Sequence, residues 1–82
     1  MNLYATARKL QRALLQRGRT IKINQSQIWF EETERMATKY TVLERQMVKG
    51  KKKDTVLIES FRLEEIVKFL ADLYKGGESE WL

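Results

Sequence analysis

Alternation between Arg19 and Gln46, RTIKINQSQIWFEETERMATKYTVLERQ, constrains this chain more than any other feature. A side-chain period of two belongs to extended backbone, and its apolar face must be covered. Thr20–Asn24 places Ile21 and Ile23 on one side and Lys22 on the other. Gln25 and Ser26 read as a short polar turn, after which Gln27–Glu32 alternates again, with Ile28 and Phe30 against Trp29 and Glu31. Two alternating runs across a polar break read as a hairpin, and without Asn-Gly or Asp-Gly its turn type stays open. Thr33–Ala37 reads as a connection and Thr38–Gln46 as a third strand. VKGKKKD, residues 48–54, reads as the loop of a second hairpin, with Gly50 supplying permissive backbone. Thr55–Phe61 is the fourth strand.

Helical spacing flanks these runs. Leu3, Ala7, Leu10 and Leu14 repeat at four, three and four, with Tyr4 and Leu15 widening the stripe. Asn2 is placed to cap residues 2–17, and Gly18 to end them. After Ser60, an expected N-cap, Leu63, Ile66, Val67, Leu70, Leu73 and Tyr74 form a broad apolar face with Phe69 at its edge. Glu64 and Glu65 at its start and Lys75 at its end suit the helix dipole. Gly76–Gly77 is expected to stop this helix, leaving residues 77–82 as a flexible tail in which Trp81 is free to dock.

The pattern predicts one α+β domain over residues 1–76. Its order is α-β-β-β-β-α, a two-layer fold with an antiparallel four-stranded meander and both helices on one face. Ile21, Ile23, Ile28, Phe30, Tyr40, Val42, Val56 and Ile58 are expected beneath the helices. The reverse face would carry Lys22, Trp29, Glu31, Lys39, Thr41, Leu43, Arg45, Thr55, Leu57 and Glu59. Trp29, Leu43 and Leu57 interrupt that polar surface. Contiguous exposed apolar groups mark contact surfaces, so these three are the candidate protein interface, with homodimerisation the favoured use. An unpaired edge strand is a second route to a partner.

Composition narrows the chemistry. With 82 residues the core is small. No cysteine or histidine occurs, which removes the thiolate and imidazole ligands of metal sites and the usual proton carrier. The acids Glu31, Glu32, Glu34 and Glu44 lack metal-loop spacing and read as balancing Arg35, Lys39 and Arg45. No phosphate cradle or nucleophile motif appears, so no enzyme activity, cofactor, metal or small-molecule substrate is expected. No apolar run of membrane-spanning length occurs, and the basic N-terminus lacks a signal-peptide core and reads as a folded amphipathic helix; the absence of cysteine fits a reducing cytosol.

Net charge is +5 and unevenly spread. Residues 1–30 hold Arg8, Lys9, Arg12, Arg17, Arg19 and Lys22 with no acid. Lys49, Lys51, Lys52 and Lys53 follow in the expected loop, and residues 54–82 sum to −4. Arginine suits bidentate phosphate contact, and neutralised phosphates release counterions. Arg8, Lys9, Arg12, Arg17, Arg19 and the four lysines are therefore the candidate contacts of a second reading, DNA or RNA binding. In the plain reading these groups are a solvated helix face and hairpin tip.

The stretch TIKINQSQIWFEETERMATKYTV, with IVKFLADLY in the last helix, resembles small proteins of phages and prophages of Gram-positive bacteria. The resemblance runs to about residue 75. It covers the opening helix, the IKIN…Q run, the aromatic-then-acid pair, the TKY strand and the closing helix. It implies a mobile-element accessory protein in a bacterial host cytoplasm. No activity or functional residue carries over. The order of double-stranded-RNA-binding domains, α-β-β-β-α, is also similar. This reading has one strand more, and Arg62, Glu64 and Glu65 stand where that family places lysines.

Overall fold

The computed structural model describes residues 2–79, with Gly77–Ser79 described by their backbone alone. Helix α1 (Leu3–Gln16) leads into strands β1 (Thr20–Phe30), β2 (Arg35–Val48) and β3 (Lys51–Ser60), and helix α2 (Leu63–Ser79) follows. The sheet is an antiparallel meander in the order β1-β2-β3.

Three strands replace the expected four. Gln25 and Ser26 do not turn; they pair with Tyr40 and Lys39 inside one continuous β1. A ladder is built from backbone groups, and exposed polar side chains do not break it where both faces are wet. The first turn is instead Glu31–Glu34, with Glu34 at a φ of 50°. The expected lysine loop also contracts. Val48 pairs with Lys51, leaving the two-residue turn Lys49–Gly50, at φ values of 52° and 78°. Positive φ at both positions is the geometry that keeps a tight hairpin in step with strand twist. The corrected order, α-β-β-β-α, coincides with that of double-stranded-RNA-binding domains, while Arg62 precedes α2 and Glu64 and Glu65 occupy its first turn.

The helix ends follow local rules. Asn2 Oδ1 accepts from Tyr4 N at 3.0 Å and Ala5 N at 3.3 Å, a cap that stabilises by about 1 kcal/mol. At the other end Gly18 is left-handed (φ 85°), and Arg19 N and Gly18 N donate to the Leu14 and Leu15 carbonyls. That pair of bonds is a Schellman closure. Ser60 lies ahead of the N-cap position: its Oγ accepts from Arg62 N at 3.0 Å and donates to Glu65 Oε2 at 2.6 Å. Helix α2 runs through Gly76 and Gly77 to Ser79, past the expected stop, and Gly76 carries no positive φ. A glycine permits a left-handed stop without forcing one. Trp81 lies outside the described residues.

Both helices cover the same face of the sheet. Ala7 and Leu14 of α1, Ile66 and Leu70 of α2, Ile21 and Ile23 of β1 and Val42 of β2 form one buried cluster. Leu10, Tyr40, Leu57, Ile58, Leu63, Val67, Phe69, Leu73 and Tyr74 pack around it. Leu14, Val42, Ile66 and Leu70 are fully enclosed, each stabilising by about 1.5–3 kcal/mol. Leu15, expected to widen the α1 stripe, is exposed.

An unbroken β1 changes which residues share a face. A turn at Gln25–Ser26 would have restarted the alternation; a continuous strand carries it through. Ile28 and Phe30 therefore lie opposite Ile21 and Ile23, on the reverse face, and Trp29 falls on the helix side. An irregularity in β3 moves three more residues. Val42 pairs with Ile58 and Leu43 with Val56, so Leu57 is an extra residue. Leu57 joins the packed core, Val56 turns to the reverse face, and Thr55, opposite Glu44, falls on the helix side.

Candidate functional site

Strands β1 and β3 are both sheet edges, and their outer sides differ. Gln11, on α1, donates from Nε2 to the Ile21 carbonyl at 2.7 Å, so this carbonyl points away from β2. Peptide groups of an antiparallel strand point alternately inward and outward. By that alternation Ile23, Gln25, Gln27 and Trp29 also direct N–H and C=O outward. From Ile23 to Phe30, INQSQIWF, β1 carries no charge and no irregularity in its pairing. Asn24, Gln25, Ser26 and Gln27 are exposed. Trp29, half exposed, stands opposite Met36, which is also exposed.

Where α1 closes over the start of β1, a groove of about 560 Å³ opens between Arg8, Gln11, Arg12, Leu15 and the Thr20–Lys22 strand. Arg8 donates from Nη1 to Gln11 Oε1 at 2.9 Å, and its guanidinium lies 5.3 Å from the Tyr4 ring centre. The groove is thus basic through Arg8 and Arg12; Lys22 also borders it, but its ammonium pairs with Asp54 on the reverse face.

The other candidate cations separate into two groups. Arg17 and Arg19 hold the fold. Arg17 stacks 3.7 Å from the Tyr74 ring centre and donates to the Tyr74 carbonyl at 2.9 Å, tying the ends of the two helices together. Arg19 grips Glu44 with two bonds of 2.8 and 2.9 Å. Glu44 is buried, and the Arg19 hydrogen bond holds its carboxyl below the ordinary glutamate range against the opposing effect of burial. Lys9, Lys49, Lys51, Lys52 and Lys53 are exposed. The side chains of the four hairpin lysines make no hydrogen bond or ion pair among the described residues.

Trp29, Leu43 and Leu57 do not form one patch. Leu57 belongs to the core, Trp29 to the exposed end of the helix side, and Leu43 to the reverse face. That reverse face is crossed by ion pairs: Lys39–Glu59 at 3.1 Å, Arg45–Asp54 at 3.1 Å and Lys22–Asp54 at 3.8 Å. The Arg45 hydrogen bond also lowers the pKa of Asp54. Its aromatic contact is Phe30 with Phe61, ring centres 5.6 Å apart.

Ion pairs cross the reverse face, which also carries Ile28, Phe30, Leu43 and Val56; the open, uncharged backbone of β1 is the association feature that no ion pair crosses. The signal in sequence was the uncharged run INQSQIWF. Recognising it required knowing that β1 is an edge.

Among the described residues no cluster of acids is placed to hold a metal ion, and no helix is long and apolar enough to cross a membrane. No family model, curated protein or solved structure matches the chain.

Proposed function

We propose that this chain is a non-enzymatic accessory protein that works by protein–protein association, its β1 edge adding a strand from a second copy of itself. The observation that carries this reading is the unguarded outer side of β1: uncharged, regular, and open from Ile23 to Trp29. Edge strands that stay single are blunted by lysine, proline, bulges or a covering element. The edge is also self-complementary. Two copies paired antiparallel about Ser26 set Gln25 against the partner's Gln27 and Ile23 against the partner's Trp29. All four residues direct their backbone groups outward in that register. The product is a closed pair with one six-stranded sheet, in which Trp29 gains cover. A mobile-element role in the host cytoplasm fits the resemblance of the IKIN…Q and TKY stretches.

Sedimentation velocity over a concentration series tests it. A concentration-dependent dimer is expected for the native chain. Gln25→Pro removes one outward N–H and should leave a folded monomer. A native chain that stays monomeric at the highest concentration overturns the reading, as does a dimer unaffected by Gln25→Pro.

A further inference from the structure

The β2–β3 hairpin outruns the rest of the sheet. Thr20, the first residue of β1, pairs with Arg45, and Arg45 with Asp54. Beyond that row only two strands continue, through Gln46–Lys53, Met47–Lys52 and Val48–Lys51, to the turn at Lys49–Gly50. Three rows at about 3.3 Å each project the ribbon about 10 Å past the sheet. Residues 46–53 are all exposed. Four lysines occupy five consecutive positions at the tip, and Lys51, Lys52 and Lys53 alternate across its two faces. Lys49 takes the first turn position in a left-handed conformation, where asparagine or glycine is favoured. Lys49 thus places a charge at the apex of the turn. Arg17 and Arg19 lie in the connection that leads into Thr20, near the ribbon's base. The acids Glu31, Glu32 and Glu34 fill the turn at the opposite end of the sheet.

We propose that this lysine-tipped ribbon is a binding site for duplex DNA, inserted into the major groove with Lys49, Lys51, Lys52 and Lys53 on the flanking phosphates. A major groove about 12 Å wide and about 8.5 Å deep admits a two-stranded ribbon, and the projection matches its depth. The exposed Met47 and Val48 ride between the lysines and meet base edges without demanding a hydrogen-bond pattern, so binding tolerates many sequences. The same geometry disfavours duplex RNA, whose major groove is too deep and narrow for side chains to read. The site is separate from the β1 edge and does not depend on pairing there.

Fluorescence anisotropy with a mixed-sequence DNA duplex, and with an RNA duplex of the same sequence, tests the proposal across a salt series. DNA binding should weaken steeply with salt. Lys51→Gln, Lys52→Gln and Lys53→Gln together should reduce the magnitude of the log–log salt slope by about 2 to 3, at about 0.9 per lost phosphate contact. Circular dichroism of the triple variant should match the native chain, because all three side chains are exposed. No DNA retention at low salt overturns the proposal. An unchanged slope in the folded triple variant overturns it by placing the contacts elsewhere. RNA binding as tight as DNA binding overturns groove entry.

Discussion

Strands β1 and β3 close the same sheet on its two sides, yet they are built to opposite rules. Strand β3 carries Lys51, Lys52, Lys53, Asp54 and Glu59, and the extra residue Leu57 breaks its regularity. Charge and bulge are the devices that keep an edge from pairing with a stranger. Strand β1 is anchored at its start and bare beyond it. Arg19 is locked to Glu44 of β2, and Gln11 covers the Ile21 carbonyl. From Ile23 onward nothing comparable guards the outer side. The contrast teaches that exposure alone does not distinguish an association surface from a solvated one. What differs is whether the exposed backbone is chemically defended.

The largest effect is expected where β1 is anchored. Arg19→Ala leaves Glu44 buried without its guanidinium and should cost about 2 kcal/mol. That is below a fully buried pair, because Arg19 is itself about a third exposed. The melting temperature should fall by roughly 10 °C. The pH dependence should change as well. The lowered folded pKa of Glu44 contributes stability above its unfolded pKa, and that contribution is lost as pH falls through the folded value. Without Arg19 only burial acts, the shift reverses, and acid titration of stability flattens. A variant with native stability and native acid sensitivity would show that the pair does not anchor β1.

Transplanting the defence of β3 onto β1 is the next largest change. Gln25→Lys with Gln27→Lys opposes like charges twice across the symmetric register. Dimer affinity should fall by about 1–2 kcal/mol, roughly tenfold or more, with monomer stability nearly unchanged. Equal dimerisation of native and doubly charged chains would place the contact off this edge.

Trp29→Ala should weaken the dimer by about 1 kcal/mol, near fivefold, while altering unfolding of the monomer by under about 0.5 kcal/mol. In a Trp81→Phe background, Trp29 emission should shift to the blue as concentration rises. A shift absent at concentrations that give dimer by sedimentation would argue for another register.

The smallest change concerns the tip beside the guarded edge. Lys49→Asn suits the left-handed turn and should stabilise the chain by about 0.5 kcal/mol in denaturant unfolding. Destabilisation there would mean that the lysine side chain supports the turn.

Much of this architecture was legible in the residues. Asn2 and Gly18 mark the ends of α1, the stripe at Ala7, Leu10 and Leu14 marks its inner side, and Ile66 and Leu70 mark that of α2. Polarity alone did not mark a turn in this chain. Gln25–Ser26 and Lys51–Asp54 both lie in strands, because ladder hydrogen bonds are indifferent to side chains that reach water. One false turn then displaced Trp29, Ile28 and Phe30 to the wrong faces, since extended backbone has a period of two. The separation of Arg17 and Arg19 from the exposed lysines was not legible either. Their partners Tyr74 and Glu44 lie far along the chain.

The sequence by itself determined the two helices, the covered face of each and the excess of positive charge. Local spacing and capping chemistry act within a few residues and need no partner. Only the tertiary structure decided that β1 is one unguarded edge strand, that Leu57 turns inward, and that the lysines stand on a projecting ribbon. Those outcomes depend on strand order and pairing register, which bring residues 20 and 45, or 42 and 58, side by side. Side-chain alternation fixes the spacing of such pairs but not which strand lies outermost.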